Sequence, residues 1–154
     1  MAAQPTAATR VGVATGVGFP AILNAGLRLQ LVPELEAGAT FGSVPLSNEN
    51  FLVYEGDVSL HLLGARPGPR RPLFLRAGVS YVSDHNSAME SRDTFVPISV
   101  GYEWFFDSNF GLSLDGGVMV NLSHQKECFG NQWTCFDFAP PVMPAGHAQL
   151  IAYF

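Results

Sequence analysis

Phe110-Gly111-Leu112-Ser113-Leu114-Asp115-Gly116-Gly117-Val118-Met119-Val120-Asn121-Leu122-Ser123 is the stretch that decides how this chain folds. Leu112, Leu114, Val118, Val120 and Leu122 fall on one face of an extended strand, and Ser113, Asp115, Gly117, Met119, Asn121 and Ser123 on the other. Successive side chains of a strand point to opposite sides, so this period of two reads as a strand with one greasy and one polar face. The stretch exceeds the roughly 5–6 residues of an ordinary globular strand. It suits the roughly 9–11 residues that a tilted strand needs to cross a bilayer.

The same rhythm continues in both directions. Strands are expected at about 10–19, 22–32, 35–44, 51–64, 73–84, 94–106, 110–123 and 144–154. Strand two sets Ala25, Leu27, Leu29 and Leu31 against Asn24, Gly26, Arg28 and Gln30. Strand four sets Leu52, Tyr54, Val58, Leu60 and Leu62 against Val53, Glu55, Asp57, Ser59 and His61. Strand five sets Leu73, Leu75, Ala77, Val79 and Tyr81 against Phe74, Arg76, Gly78 and Ser80. Strand six sets Val96, Ile98, Val100, Tyr102, Trp104 and Phe106 against Pro97, Ser99, Gly101 and Glu103. Turn-forming runs separate them: Pro33-Glu34, Val44 to Asn50, Arg66 to Pro72, the polar Asn86 to Asp93, Asp107-Ser108-Asn109, and a long irregular segment from Cys128 to Pro144. Neither an internal repeat beyond the hairpins nor a second domain is apparent. The expectation is one domain over 1–154, with 1–9 as a flexible leading segment.

Composition narrows the class. Hydrophobic residues make up 47% of the 154, yet no run approaches the roughly 20 apolar residues of a membrane helix. Charged residues are 14%, against roughly 25% in soluble domains, and Lys126 is the single lysine. A net charge of −5 argues against nucleic acid as a partner. Met1-Ala2-Ala3-Gln4-Pro5-Thr6 has neither the basic nor the apolar region of a signal peptide. Two explanations compete: a cytosolic protein, or a mature chain carrying an added start Met. The second is favoured.

Alternation does not say which face is inside, but three features choose. The polar face is rich in Gly and Ser and poor in Lys, which suits packing better than solvation. The apolar face is almost free of charge, as lipid contact requires when an Arg or Lys at mid-bilayer costs roughly 2–4 kcal/mol. Aromatic residues gather at strand ends, with Trp104, Phe106 and Phe154 at one end and Phe41, Phe51, Tyr54 and Tyr81 toward the other. The predicted fold class is therefore all-β: a closed, antiparallel, transmembrane barrel of eight strands in an up-and-down meander. Closure leaves no edge for lipid to leave unsatisfied. Leu27, Leu29, Leu60, Leu75, Val79, Val100, Leu114, Val118, Val120 and Leu150 are expected to face lipid. Phe41, Tyr54, Tyr81, Trp104, Phe106 and Phe154 are expected to form the aromatic girdles.

The C-terminal Ala148-Gln149-Leu150-Ile151-Ala152-Tyr153-Phe154, alternating and ending in Phe, resembles the terminal signal of bacterial outer-membrane barrels. Gly101-Tyr102-Glu103-Trp104-Phe105-Phe106-Asp107-Ser108-Asn109-Phe110-Gly111-Leu112 resembles their short periplasmic hairpins. Together these resemble the small OmpA/OmpX-like barrels, at the level of pattern over nearly the whole chain. One departure is the tight first hairpin at Gly18-Phe19-Pro20-Ala21. The resemblance implies insertion by the barrel-assembly machinery, contacted through Leu150 and Phe154. It also implies periplasmic termini, with turns at 32–35, 65–72 and 107–110 on that side and loops near 19–22, 45–50, 85–93 and 124–143 outside.

Such a barrel is just wide enough for side chains to fill it. Arg28, Arg76, Glu36, Glu55, Asp57, Glu103 and Asp115, with His61 and His147, point inward and must be paired. Arg28 and Arg76 are each expected to bridge two acids; an ion path or proton relay is the functional alternative. Cys128 and Cys135, an even count around Phe129-Gly130-Asn131-Gln132-Trp133-Thr134, favour a disulfide over a metal site with His124 and Asp137. Phe129, Trp133, Phe136 and Phe138 suit a cover for the barrel mouth, a dip into the outer leaflet or a binding surface.

Ser83-Asp84-His85 and Ser123-His124 contain the residue types of a hydrolase, although neighbours in a strand alternate faces. No cofactor or metal is expected. The leading expectation is a non-enzymatic, monomeric outer-membrane protein whose partners are lipids and an unidentified ligand of its outer loops. The alternatives are a narrow small-solute channel, a lipid-modifying hydrolase and a soluble lipocalin-like barrel.

Overall fold

The structure is a computed structural model, and it describes residues 9–45, 50–63, 72–85, 89–128 and 140–154. Eight antiparallel strands, each hydrogen-bonded to the next in sequence, close into a barrel. They are β1 (Arg10–Phe19), β2 (Leu23–Val32), β3 (Leu35–Ser43), β4 (Asn50–Leu63), β5 (Leu73–His85), β6 (Met89–Phe105), β7 (Phe110–Cys128) and β8 (Val142–Tyr153). The ring closes where β1 pairs with β8, from Gly12 opposite Tyr153 to Phe19 opposite Gly146. No helix among the described residues is long and apolar enough to cross a membrane.

Two features depart from the expected pattern. β6 starts at Met89 and β7 runs to Cys128, so Met89 to Asp93 and His124 to Cys128 are strand rather than loop. Glu90 pairs with Glu127 and Arg92 with Gln125 in this extension. A ladder that leaves the apolar band carries polar side chains on both faces, and its composition then looks like a loop. The second feature is a bulge. Thr94 pairs with Ser123 and Phe95 with Asn121, which leaves Leu122 as the extra residue. An extra residue reverses the alternation beyond it. Ser123 is thereby turned to the outer face and His124 to the inner one, the opposite of the expected arrangement for Ser123.

The start of β1, the end of β8 and the 32–35 and 106–109 turns share one end of the barrel, here called the turn end. There Asp107 Oδ1 accepts hydrogen bonds from the backbone N–H groups of Asn109 and Phe110 at 2.6 and 2.7 Å, an Asx turn. Arg10 donates to Ser108 O and Asn109 Oδ1, tying the start of β1 to this turn.

Glycine sets how closely the closing strands approach. A Cβ on Gly16 would lie 2.0 Å from Ala148 O and 2.7 Å from Gln149 Cα, in the β1–β8 seam. Gly16→Ala is expected to push the seam apart and cost about 1–3 kcal/mol, an overpacking effect. A Cβ on Gly116 meets nothing within 4 Å. Gly116→Ala should therefore leave the thermal midpoint unchanged while Gly16→Ala lowers it.

Candidate functional site

The inner faces hold three layers. The middle one is ionic. Arg28 Nη1 lies 2.8 Å from both oxygens of Asp57, and its Nη2 donates to Gln149 Oε1 at 2.9 Å. Gln149 passes the chain on to Asn24 Oδ1 at 2.8 Å. On the other side Arg76 Nε lies 3.3 Å from Asp57 Oδ1, and Arg76 Nη1 lies 2.7 Å from Asp115 Oδ2. His147 Nδ1 completes the run at 3.2 Å from Asp115 Oδ1. The network thus links β2, β4, β5, β7 and β8 across the lumen. Gly38 makes room for it, because a Cβ there would lie 2.1 Å from Arg28 Nη1. Glu55 is buried among the same charges.

Arg76 bridges two acids, as expected. Arg28 does not: its second acceptor is the amide of Gln149. The alternation of β8 already put Gln149 on the face of His147, but its charge-neutral side chain gave no reason to single it out. Asn24 and Ser59, which accepts from Arg76 Nε at 3.1 Å, were on the inner faces for the same reason.

The layer toward the turn end holds Glu36, His61 and Glu103, all buried. Tyr153 Oη donates to Glu36 Oε2 at 2.5 Å. Phe74, fully buried, separates this layer from the middle one: its ring centroid is 5.5 Å from that of His61 and 4.8 Å from Arg76 Cζ. Ala14, Ile151 and Tyr153 pack together beside it, with Phe105 against them.

The third layer is apolar and lies toward the opposite, loop end. Ala21, Val53, Val82, Phe95 and Met119 form a buried cluster, with Phe51, Met143 and Ala145 packed on it. Beyond it Asp93 accepts from Ser91 Oγ at 2.8 Å and from Asn121 Nδ2 at 3.3 Å, and lies 2.6 Å from His124 Nδ1. Serine here binds the carboxylate, whereas a nucleophile must bind the imidazole. Ser123 faces the other way, and His85 is exposed and lies 3.8 Å from Glu90. Ser123 and His124 therefore do not share a face. Asp137, Cys135 and the aromatics Phe129, Trp133, Phe136 and Phe138 lie outside the described residues, while Cys128 ends β7.

The outer face is apolar. Leu27, Leu29, Leu60, Leu75, Val79, Val100, Leu114, Val118 and Leu150 are exposed; Val120 is half-buried. Leu27 is 61% exposed while Arg28 beside it is 1% exposed, so the greasy side chain is outside and the charged one inside. Phe41, Tyr54 and Tyr81 are cross-strand partners in one row over β3, β4 and β5, and the Phe41 and Tyr54 rings lie 5.3 Å apart. Tyr102 and Trp104, 4.6 Å apart, and Phe106 and Phe110, 6.0 Å apart, mark the turn end, with Phe154 beyond them at 79% exposure. Thr94 is level with Tyr81 in the ladder. From there to Trp104, β6 rises roughly 33 Å along itself, or roughly 25 Å along the axis at the usual barrel tilt.

No protein-family profile, curated protein or solved structure matches this chain.

Proposed function

We propose that this chain is an integral β-barrel of the bacterial outer membrane, of the OmpA/OmpX-like type, with a closed lumen and a structural or surface-contact role carried by its outer loops. The observation that carries the reading is the inverted order of burial. Arg28, Glu36, Arg76 and Glu103 are inside, and Leu27, Val79, Val100 and Phe106 are outside. In water such an exterior would be one continuous apolar patch far beyond the few hundred Å² that soluble monomers expose. A band roughly 25 Å tall between two sets of aromatic residues is what a bilayer contact requires.

The lipocalin-like alternative needs an apolar interior, and the ionic middle layer argues against it. The channel alternative needs a continuous polar path. The buried cluster of Val53, Val82, Phe95 and Met119 across the loop end argues against that. Leu150 faces outward on the last strand and Phe154, just beyond its end, is exposed, where the assembly machinery would read them. Monomeric state and a Cys128–Cys135 disulfide in the outer loop belong to the same proposal.

Refolding tests it. The chain should need detergent micelles or lipid to fold, and an unboiled gel should then show a band that shifts on heating. The folded protein should carry no steady current in a planar bilayer. Folding in plain buffer with no heat-dependent shift would remove the membrane reading. A steady ohmic conductance would remove the closed lumen and favour the channel.

A further inference from the structure

Glu36, His61 and Glu103 come from three strands, β3, β4 and β6, yet one ligand atom from each lies within 4.8 Å of the other two. Their exposures are 0%, 2% and 2%, so this is an enclosed cluster and not a solvated acidic surface. We propose that these three side chains bind one divalent transition-metal ion at the turn end of the lumen, with Zn²⁺ as the best fit.

The donor set argues for the type of ion. An imidazole with two carboxylates suits zinc and its neighbours, whereas calcium and magnesium take oxygen ligands throughout. Zinc accepts three protein ligands and keeps a fourth position for water. At its usual bond lengths of about 2.0–2.2 Å, tetrahedral ligand atoms sit roughly 3.4 Å apart. The observed cluster needs only a small contraction, which side-chain torsions can supply. Arg28 and Arg76 are engaged with Asp57 and Asp115 in the middle layer, on the far side of Phe74, so the three ligands form a cluster separate from the ionic layer.

The ligands are also held in place, as metal ligands usually are. Tyr153 Oη donates to Glu36 Oε2, fixing that carboxylate. The Phe74 ring lies against the imidazole of His61. The backbone N–H of His61 bonds to Glu34 O at 2.8 Å and that of Glu103 to Pro72 O at 2.8 Å, so two of the ligands sit on anchored strand ends. The site does not depend on what surrounds the barrel, and it would stand if the membrane reading failed.

The test is titration of the refolded full chain with Zn²⁺ alone, against a chromophoric chelator. One ion per chain is expected. Glu103→Gln and His61→Gln should each weaken binding by at least tenfold, with the β-sheet circular dichroism spectrum of the unmutated chain retained as the sign of folding. His85→Asn and His124→Asn should leave binding unchanged. Tyr153→Phe keeps all three ligands and should weaken binding roughly 10- to 100-fold by releasing Glu36. Co²⁺ in place of Zn²⁺ should give a visible d–d absorption in the unmutated chain, a readout that needs no variant to fold. Absence of that band, absence of stoichiometric zinc, or binding lost in His124→Asn but kept in His61→Gln would overturn the proposal.

Discussion

Asp57→Ala is expected to destabilise the folded barrel by about 3–5 kcal/mol, the largest effect of any single side-chain truncation in the lumen. Among the described residues, Asp57 is the one carboxylate that touches both Arg28, at 2.8 Å, and Arg76, at 3.3 Å, and its side chain is fully buried. Removing it leaves two guanidinium groups facing each other in a space that neither can leave. The magnitude comes from that stranded charge and not from the attraction alone, because desolvation offsets much of the gain from a buried pair. The double variant Asp57→Ala with Arg28→Met should therefore be less unstable than the sum of the two singles. Urea unfolding in lipid vesicles measures all three. Strict additivity would mean that Arg28 and Asp57 do not interact as their distance implies.

The second large effect belongs to the outer face. Val100→Arg should cost about 2–4 kcal/mol, because position 100 lies near the middle of the apolar band on β6. Thr94→Arg, at the level of Tyr81, should cost about 0–1 kcal/mol, since a side chain at the rim reaches headgroups and water. The pair is informative because both positions are on one strand and one face. In water the two substitutions would be similar and small. A depth dependence therefore reports the surrounding medium and not a property of the strand. The same vesicle titration reads it.

Much of the architecture could be read from alternation because the two faces of these strands meet opposite environments. Where the environments become alike, the signal fades. Ser91, Asp93, His124 and Lys126 extend the β6–β7 hairpin beyond the apolar band, and there a strand looks like a polar loop. The bulge at Leu122 inserts one residue with no change in composition, so the phase reversal that turns Ser123 outward could not be foreseen. Inward charge was legible as parity. Partnership was not, because it depends on the stagger between strands that brings Arg28 level with Asp57 and Gln149. The same stagger separates Glu36, His61 and Glu103 from the arginines and gathers them into a cluster of their own. The apolar layer of Val53, Val82, Phe95 and Met119 was within reach, since Val53 and Met119 sat on faces read as polar. Weighing those faces by their charges alone hid it.

On the proposed membrane setting, the even-numbered side chains of β6 from Val96 to Trp104 contact hydrocarbon and the odd-numbered ones between them are enclosed. Spin labels placed singly at positions 96 to 104 of the reconstituted protein test this most directly, by collision with oxygen and with a water-soluble nickel chelate. Val96, Ile98, Val100 and Tyr102 should be open to oxygen and shielded from the chelate, while Ser99, Gly101 and Glu103 should be shielded from both. Free access of the chelate to Ile98 and Val100 would contradict it.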